Sequence, residues 1–443
     1  MKEIVLSQYV NKEFVTTEEH INWFGYYNYD TLNHDQTRML CNRAQKDGVA
    51  PEKGDVIELG YYDIPSGEWH SIGHSDSWNW QQGAMMQWLP GKGNESSVIY
   101  NTSKNGHLIS VIKDIESGET RELNWPIYGI TPDGKKSIAV DLERSYWCRA
   151  YHYQSIANKE LEGNIIGSDG IFEIDLQNNT RKRIVSIQDV LNLEPIPEFP
   201  KLKHWFEHVM INQDGTKFCF LHRFSPEYNV NAYQTRLFVA DIDGSNLQVI
   251  YGWNKVDWSH FGWNKNDFAI YTVPNNGMGT MYKTMGNNAS KGFNLKTFAF
   301  KCASKLVHKL PASVRKKMKG GKSYYQYYTL QDDGKYALAK VIEKPYFNID
   351  GHPSFTNDGK YMVTDTYPDE HDYQHLIIHN IETGKGVVVA DLYAYYNHTP
   401  ATCDLHPKLC KNNDYVVVDS AFNDKHHMVL FKIDWNIIIK EIG

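Results

Sequence analysis

Polar turns interrupt the chain at intervals, and each is followed by a short apolar or alternating run. The turns are Asn33-His34-Asp35-Gln36, Pro90-Gly91-Lys92-Gly93, Pro132-Asp133-Gly134, Gln213-Asp214-Gly215, Asn264-Lys265-Asn266-Asp267, Asn357-Asp358-Gly359 and Asn412-Asn413-Asp414. Asp and Asn side chains bond their own backbone, and Gly tolerates a positive φ, so such clusters between apolar runs mark hairpins. The runs that follow include Lys217-Phe218-Cys219-Phe220-Leu221-His222, Phe268-Ala269-Ile270-Tyr271-Thr272 and Tyr415-Val416-Val417-Val418. Their aromatic and β-branched content reads as inner strands.

Several repeats add a second hairpin, in which a strand ends in a polar residue and turns: Ile171-Phe172-Glu173-Ile174-Asp175, Leu237-Phe238-Val239-Ala240-Asp241 and Leu376-Ile377-Ile378-His379-Asn380. Four-stranded units recurring at roughly 40 to 60 residues are the signature of β-propeller blades. Seven turn signals predict an all-β fold, a seven-bladed β-propeller, in preference to a pair of β-sandwiches. One short helix or turn is expected within 184–193, and Met428 to Asp434 is a plausible partner for an N-terminal strand. A chain of 443 residues would ordinarily divide into two or three domains. A closed ring uses that length once, and no Gly/Ser-rich or Pro-rich linker offers a boundary, so residues 1–443 are expected to form a single propeller domain.

Charge and cysteine content narrow the function classes. The formal net charge is −7, and the one basic run, Arg315-Lys316-Lys317-Met318-Lys319-Gly320-Gly321-Lys322, is too short for a nucleic-acid footprint. No N-terminal apolar core of signal-peptide length is present, and no run approaches the ~18 apolar residues of a membrane span. A cytoplasmic protein with no nucleic-acid or membrane partner is therefore expected. The cysteines at 41, 148, 219, 302, 403 and 410 form no CxxC pair and read as buried free thiols.

Aromatic residues suggest a ligand class. Tyr is used 29 times and Trp 12 times, with several beside amides or guanidinium groups, as in Trp78-Asn79-Trp80-Gln81-Gln82 and Tyr146-Trp147-Cys148-Arg149-Ala150-Tyr151. Flat rings stack on the C–H faces of sugars while neighbouring polar groups meet hydroxyls. Packing between blades would use the same aromatics.

Two His-Pro pairs, His352-Pro353 and His406-Pro407, each stand ahead of a polar turn and a strand. Such placement delivers imidazoles to one end of two different strands, where a metal or substrate site can form. In the central segment, His208, His222, Arg236 and His260 occupy four successive strand starts or ends. Blades converge on the propeller axis, so equivalent positions can meet.

The order of these elements resembles oligogalacturonate lyase, the seven-bladed propeller family of polysaccharide lyases. The match runs from His before a turn, to a strand ending in His, an Arg-hydrophobic strand closing on Asp243-Gly244-Ser245-Asn246, Ser259-His260-Phe261 and a late His-Pro strand. It covers roughly residues 200–435 and, more loosely, the repeats before them. The resemblance implies His222 as the catalytic base and a divalent ion, Mn²⁺ foremost and Ca²⁺ as an alternative, held by His260 and His406. Where the family has His-Pro-His-Pro preceded by a Gln, this chain has Asp404-Leu405-His406-Pro407, with Ala401 at the Gln position. Asp404 is the expected replacement ligand, since carboxylate oxygen suits Mn²⁺ or Ca²⁺. His352 is the fourth candidate of the metal set.

The reaction so implied is β-elimination on a uronic-acid-containing oligosaccharide. The C5 proton of a uronate is a weak acid because the adjacent carboxylate is already negative, so that charge must be neutralised. Arg223 or Arg236 would grip the carboxylate and His222 would take the proton. Gln81, Gln82, Arg149, Tyr151 and His208 are expected substrate contacts, with Arg144 as a further candidate for a second sugar. Two other readings stay open: a non-catalytic platform for glycans or proteins, and another enzyme of surface-polysaccharide processing.

Overall fold

In the computed structural model, which describes residues 4–149, 152–228, 233–252, 258–272, 323–395, 402–423 and 425–443, the strands form seven antiparallel sheets arranged as propeller blades. Blade one contains Ile21–Trp23, Arg38–Ala44, Ile57–Asp63 and Trp69–Ser75. Blade four contains Lys203–Ile211, Lys217–Ser225, Gln234–Asp241 and Gln248–Tyr251, and blade five contains Trp258–Asn264, Asp267–Thr272, Tyr324–Leu330 and Tyr336–Ile342. In each blade the first strand is the innermost, and the fourth turns more of its side chains to solvent, as Tyr336–Ile342 shows.

All seven sequence turns lie between the first and second strands, one per blade. The runs predicted as inner strands are thus the second strands, one step from the axis. The turn chemistry repeats: Asp133 Oδ1 accepts Thr131 Oγ1 and the Lys135 N–H, Asp214 Oδ1 accepts Thr216, and Asp358 Oδ1 accepts Thr356 Oγ1 and the Lys360 N–H. A local bond of this kind fixes the hairpin without tertiary help.

The ring closes by mixing chain ends. Blade seven is built from Lys408–Leu409, Tyr415–Phe422 and Lys425–Ile433, and its outer strand is the N-terminal Val10–Val15, in register Val10↔Ile433 and Val15↔Val429. Val5–Leu6 adds a fifth strand at Leu6↔Ala390 to blade six, which contains Ser354–Phe355, Tyr361–Thr364, Tyr373–Asn380 and Gly386–Tyr393. The pairing joins strands from the two ends of the chain in one sheet and so closes the ring by hydrogen bonds.

Helices are few and short. The expected helix within 184–193 is Ile187–Asn192, preceded by strand Thr180–Ser186, with Ser186 and Asp189 in a reciprocal capping box. Leu142–Cys148, capped by Asp141, and Trp435–Ile442, capped by Asp434, were not anticipated. No helix among the described residues is long and apolar enough to cross a membrane. The five described cysteines are buried and free, as expected, whereas Cys302 and the basic run 315–322 lie outside the described residues.

Phe431, fully buried in the closing blade, supplies a test of this closure. Phe431→Ala should lower unfolding free energy by about 3–5 kcal/mol in denaturant titration, the cost of a core cavity. A loss below about 1 kcal/mol would contradict a packed, closed ring.

Candidate functional site

Two buried clusters meet near the axis, separated by the side chain of Tyr26. Its ring stacks on His208 at 4.8 Å between centroids and meets His406 edge-on at 5.2 Å.

The first cluster belongs to blades six and seven. Ligand atoms of His352, Asp404 and His406 lie within 4.8 Å of one another, and all three residues are buried. His352 Nδ1 donates to the Asp365 carboxylate at 2.9 Å, and His406 Nδ1 donates to the Gly25 carbonyl at 3.1 Å. These bonds fix the tautomers and leave the Nε2 lone pairs of both rings, together with Asp404 Oδ1, without a hydrogen-bond partner, His406 Nε2 standing 3.8 Å from Asp404 Oδ2. Orphaned buried acceptors are costly, and imidazoles held at Nδ1 by a carboxylate or carbonyl are the usual support of a metal ligand. Two nitrogens and one carboxylate oxygen fit Mn²⁺ or a similar divalent ion.

Backbone geometry makes this convergence possible. Gly351 has no room for a side chain, because a Cβ there would lie 1.8 Å from the Asp365 carbonyl oxygen. The Asp365 carboxylate also accepts the His352 and His406 N–H groups, at 2.6 and 3.2 Å, so one side chain sets both histidine loops. His406 itself sits at φ 43, a left-handed conformation rare outside Gly, Asn and Asp.

His260 adjoins this trio without completing it. Its ring lies 4.0 Å from that of His352, while its Nδ1 is 3.0 Å from Ser259 Oγ and 3.2 Å from Asp350 Oδ1. Burial opposes its charge, but Asp350 outweighs that and raises the His260 pKa. Burial, reinforced by Asp365, pushes Asp404 up to about 8, and burial holds His352 and His406 below the usual histidine range.

The second cluster belongs to blade four and to blade three, which contains Gly129–Ile130, Lys136–Val140, Gly170–Asp175 and Thr180–Ser186. Glu207 is gripped by Arg223, by Arg149 at 3.4 Å and by the Trp205 indole. Tyr233 accepts from Arg149 at 2.6 Å and lies under the Arg223 guanidinium, 4.4 Å from its ring centroid. Two guanidinium groups against one carboxylate leave an excess positive charge, and Arg223 Nε has no partner. Although burial favours its protonated form, the two arginines hold Glu207 well below the usual carboxylate range. His208 Nε2 faces Glu207 at 3.4 Å, its Nδ1 is unpartnered, and burial pushes its pKa down to about 4. A β-bulge between Glu207 and Met210 places His208 at φ 54, a strained position of the kind found at functional sites.

Sequence reasoning placed His352, Asp404, His406, Arg149, Arg223 and His208 in one site; the structure gathers the first three in one cluster and the last three around Glu207 in the other, on the two sides of Tyr26. Gln81 borders a cavity shared with Asp404 and His406, its Oε1 buried and unpartnered. The expected base does not join them. His222 is fully buried, with Nε2 3.0 Å from His204 Nδ1 and Nδ1 accepting from Arg236. Arg236 in turn donates to the carbonyls of Val190 and Leu193 at the end of helix Ile187–Asn192. Both are corrected to a structural role: side chains alternate across a strand, so His222 faces the phenylalanine layer while adjacent Arg223 faces the site.

Gln82 is likewise tied down, donating to Tyr128 at 2.6 Å and accepting from Tyr153 at 2.7 Å. Arg144 is spent on the carbonyls of Leu161, Gly163 and His204. Tyr151 and Ala401 lie outside the described residues. Tyr26, Glu207 and Asp365 were missed; Glu207, beside His208 in a strand already under scrutiny, was the one with a usable signal.

Comparison with solved structures gives the same architecture. The chain superposes on an oligogalacturonate lyase in complex with manganese with a TM-score of 0.58 at 12% identity, covering 98% of both chains. It superposes on oligogalacturonate lyase from Vibrio parahaemolyticus with a TM-score of 0.59 at 12% identity, covering 98% of this chain and 100% of that one. The fold is that of the oligogalacturonate lyases. At this identity the likeness establishes a distant relation in fold alone. No protein-family model and no curated sequence matches the chain.

Two measurements check these assignments. His222→Ala should lower stability by about 1–3 kcal/mol, because buried Arg236 loses an acceptor, yet leave divalent-ion binding unchanged in calorimetry; loss of binding would return His222 to the site. At pH 7 Asp404 is protonated before an ion arrives, whereas His352 and His406 are already neutral. Ion binding should therefore release about one proton at pH 7 and tighten as pH rises to about 8, as read by calorimetry in buffers of different ionisation enthalpy.

Proposed function

We propose that this protein is a lyase that cleaves a uronic-acid-containing oligosaccharide by metal-assisted β-elimination. The observation that carries the reading is the meeting, across Tyr26, of an unsatisfied His352-Asp404-His406 trio and a buried Arg149-Glu207-Arg223 cluster with surplus positive charge. A divalent ion held by the trio would neutralise the sugar carboxylate and stabilise charge as the C5 proton leaves.

The chain's own groups supply the rest. Arg223 offers its unpartnered Nε to a carboxylate oxygen, and Arg149 keeps the local potential positive. His208 is neutral at pH 7 and presents a free Nδ1, so it replaces His222 as the candidate base. When Nδ1 takes the C5 proton, the imidazolium is stabilised by Glu207 at Nε2, an arrangement that orients the ring and favours transfer. The C5–H electrons form the C4=C5 double bond, and the C4–O bond breaks with protonation of the departing oxygen by water. The buried free thiols are consistent with a cytoplasmic setting.

The bonding of His222 and Arg236 wholly within the protein favours a second reading, a glycan-binding platform without catalysis. The two separate in one assay. Incubation of the Mn²⁺-loaded protein with a panel of uronate oligosaccharides should give the ultraviolet absorbance of an unsaturated uronate. His208→Ala and Arg223→Ala should each lower the rate by at least ~100-fold, and chelation should abolish it. Saturable glycan binding with no absorbance rise on any uronate would sink the lyase reading and support the platform.

A further inference from the structure

Between blades one and seven lies a cavity of about 10 Å³, lined by Trp23, Trp80, Gln81, Asp404, His406 and Asp419 among others. Four polar atoms of its lining residues are buried and without partners: Trp23 Nε1, Gln81 Oε1, Asp404 Oδ1 and His406 Nε2. Gln81 Oε1 and His406 Nε2 are acceptors, as is the unpartnered Nε2 of neighbouring His352; Asp404 Oδ1 joins them once its carboxyl ionises, and Trp23 Nε1 is a donor. One water has two protons to give and cannot satisfy that many acceptors. A cation can.

Gln81 is held firmly enough to serve. Asn79 and Gly83 exchange backbone hydrogen bonds at 3.2 and 2.9 Å, and Asn79 Oδ1 accepts both the Gln81 and Gln82 N–H groups at 3.0 Å. Gly83, at φ 58, lets this turn pack on Asn42, where a Cβ would approach Nδ2 to 2.4 Å. Trp80 fixes the outer side by donating to the Val49 carbonyl at 2.7 Å. A ligand on so rigid a support needs little reordering when it binds.

From this geometry we infer that Gln81 Oε1 is a fourth protein ligand of the divalent ion, contributed by the turn that follows blade one to a trio from blades six and seven. The Trp23 indole N–H then donates to an oxygen, water or substrate, carried on the same ion. The inference rests on the proposed metal site and extends it from histidine and carboxylate donors to an amide oxygen, a donor suited to hard ions such as Mn²⁺ and Ca²⁺. It also assigns Gln81 to the metal, where sequence analysis had expected a sugar contact.

The test compares the full-length protein with Gln81→Leu, Gln81→Glu and His406→Ala. Mn²⁺ affinity is read by calorimetry, ion-bound water by proton relaxation, and folding by circular dichroism. Gln81→Leu should weaken Mn²⁺ binding by about tenfold or more and add one water to the bound ion. Gln81→Glu, which keeps an oxygen at that place, should bind at least as tightly as the parent. If His406→Ala loses the ion while Gln81→Leu keeps the parent's affinity and water count, the Gln81 assignment is overturned and the trio stands. A parent protein that binds no divalent ion would overturn the proposed metal site together with this inference.

Discussion

The centre of the molecule depends on one buried carboxylate, Asp419. Its two oxygens accept the Phe24 and Gly25 N–H groups, each at 2.9 Å, and Oδ2 also receives Lys408 Nζ at 2.9 Å. Lys408 reaches on to the His406 carbonyl, while the Gly25 carbonyl accepts His406 Nδ1. Blade seven is thereby fastened to the loop after the first strand of blade one, nearly the whole chain apart. That loop carries Tyr26 and Tyr27, the rings against which His208, His352 and His406 rest. Gly25 is obligatory here: its φ is 128, and a Cβ would lie 2.7 Å from the Gln82 backbone. A buried carboxylate and ammonium offset their desolvation through well-placed hydrogen bonds, and this pair directs its bonds to the two segments that carry His406 and Tyr26.

From that fastening the site inherits an electrostatic division. On one side of Tyr26, Asp350, Asp365 and Asp404 crowd around His352 and His406, which burial keeps neutral, and His260, whose charged form Asp350 favours; the carboxylates still outnumber the cations, and Asp404 retains its proton near pH 7. On the other, Arg149 and Arg223 outnumber Glu207. An ion on the acidic side would return Asp404 to its carboxylate form, while an anionic sugar on the basic side would satisfy Arg223. The two halves thus ask for opposite charges at neighbouring places, as a substrate bearing a carboxylate next to a cation provides.

The fold was legible in the sequence because its repeat is local. Each blade announces itself by a turn whose Asp or Asn side chain, or whose Gly backbone, acts within a few residues, and all seven turns fall at the same hairpin. The site was legible only in part, because it depends on which face of a strand a residue takes. His222 and Arg223 are neighbours on Lys217–Ser225, and alternation sends one into the phenylalanine layer and the other to the axis. The bulge after Glu207 shifts that alternation again, which no reading of periodicity could place. His352 and His406 were recoverable since His-Pro pairs begin strands at one end of adjacent blades. Tyr26, Asp365 and Asp419 act across long sequence separations, and nothing in their local sequence marks them.

The unsatisfied atoms distinguish a site from a packing accident. His222 and Arg236 are as deeply buried as His352 and His406, yet their polar atoms are spent on His204, Val190 and Leu193, which is how a structural pair behaves. In the trio, each ring has one nitrogen fixed by a support and the other left bare, and Asp404 keeps an oxygen unpaired beside them. A folded chain does not gather three buried residues that each carry an unpartnered polar atom, with their ligand atoms within 4.8 Å, without cost, since each such atom forgoes a hydrogen bond to water. The strained φ of His406 and the steric demand at Gly351 add to that cost. Those costs fall on the residues converging at this point, so the binding of a cation there is the interaction that would balance them.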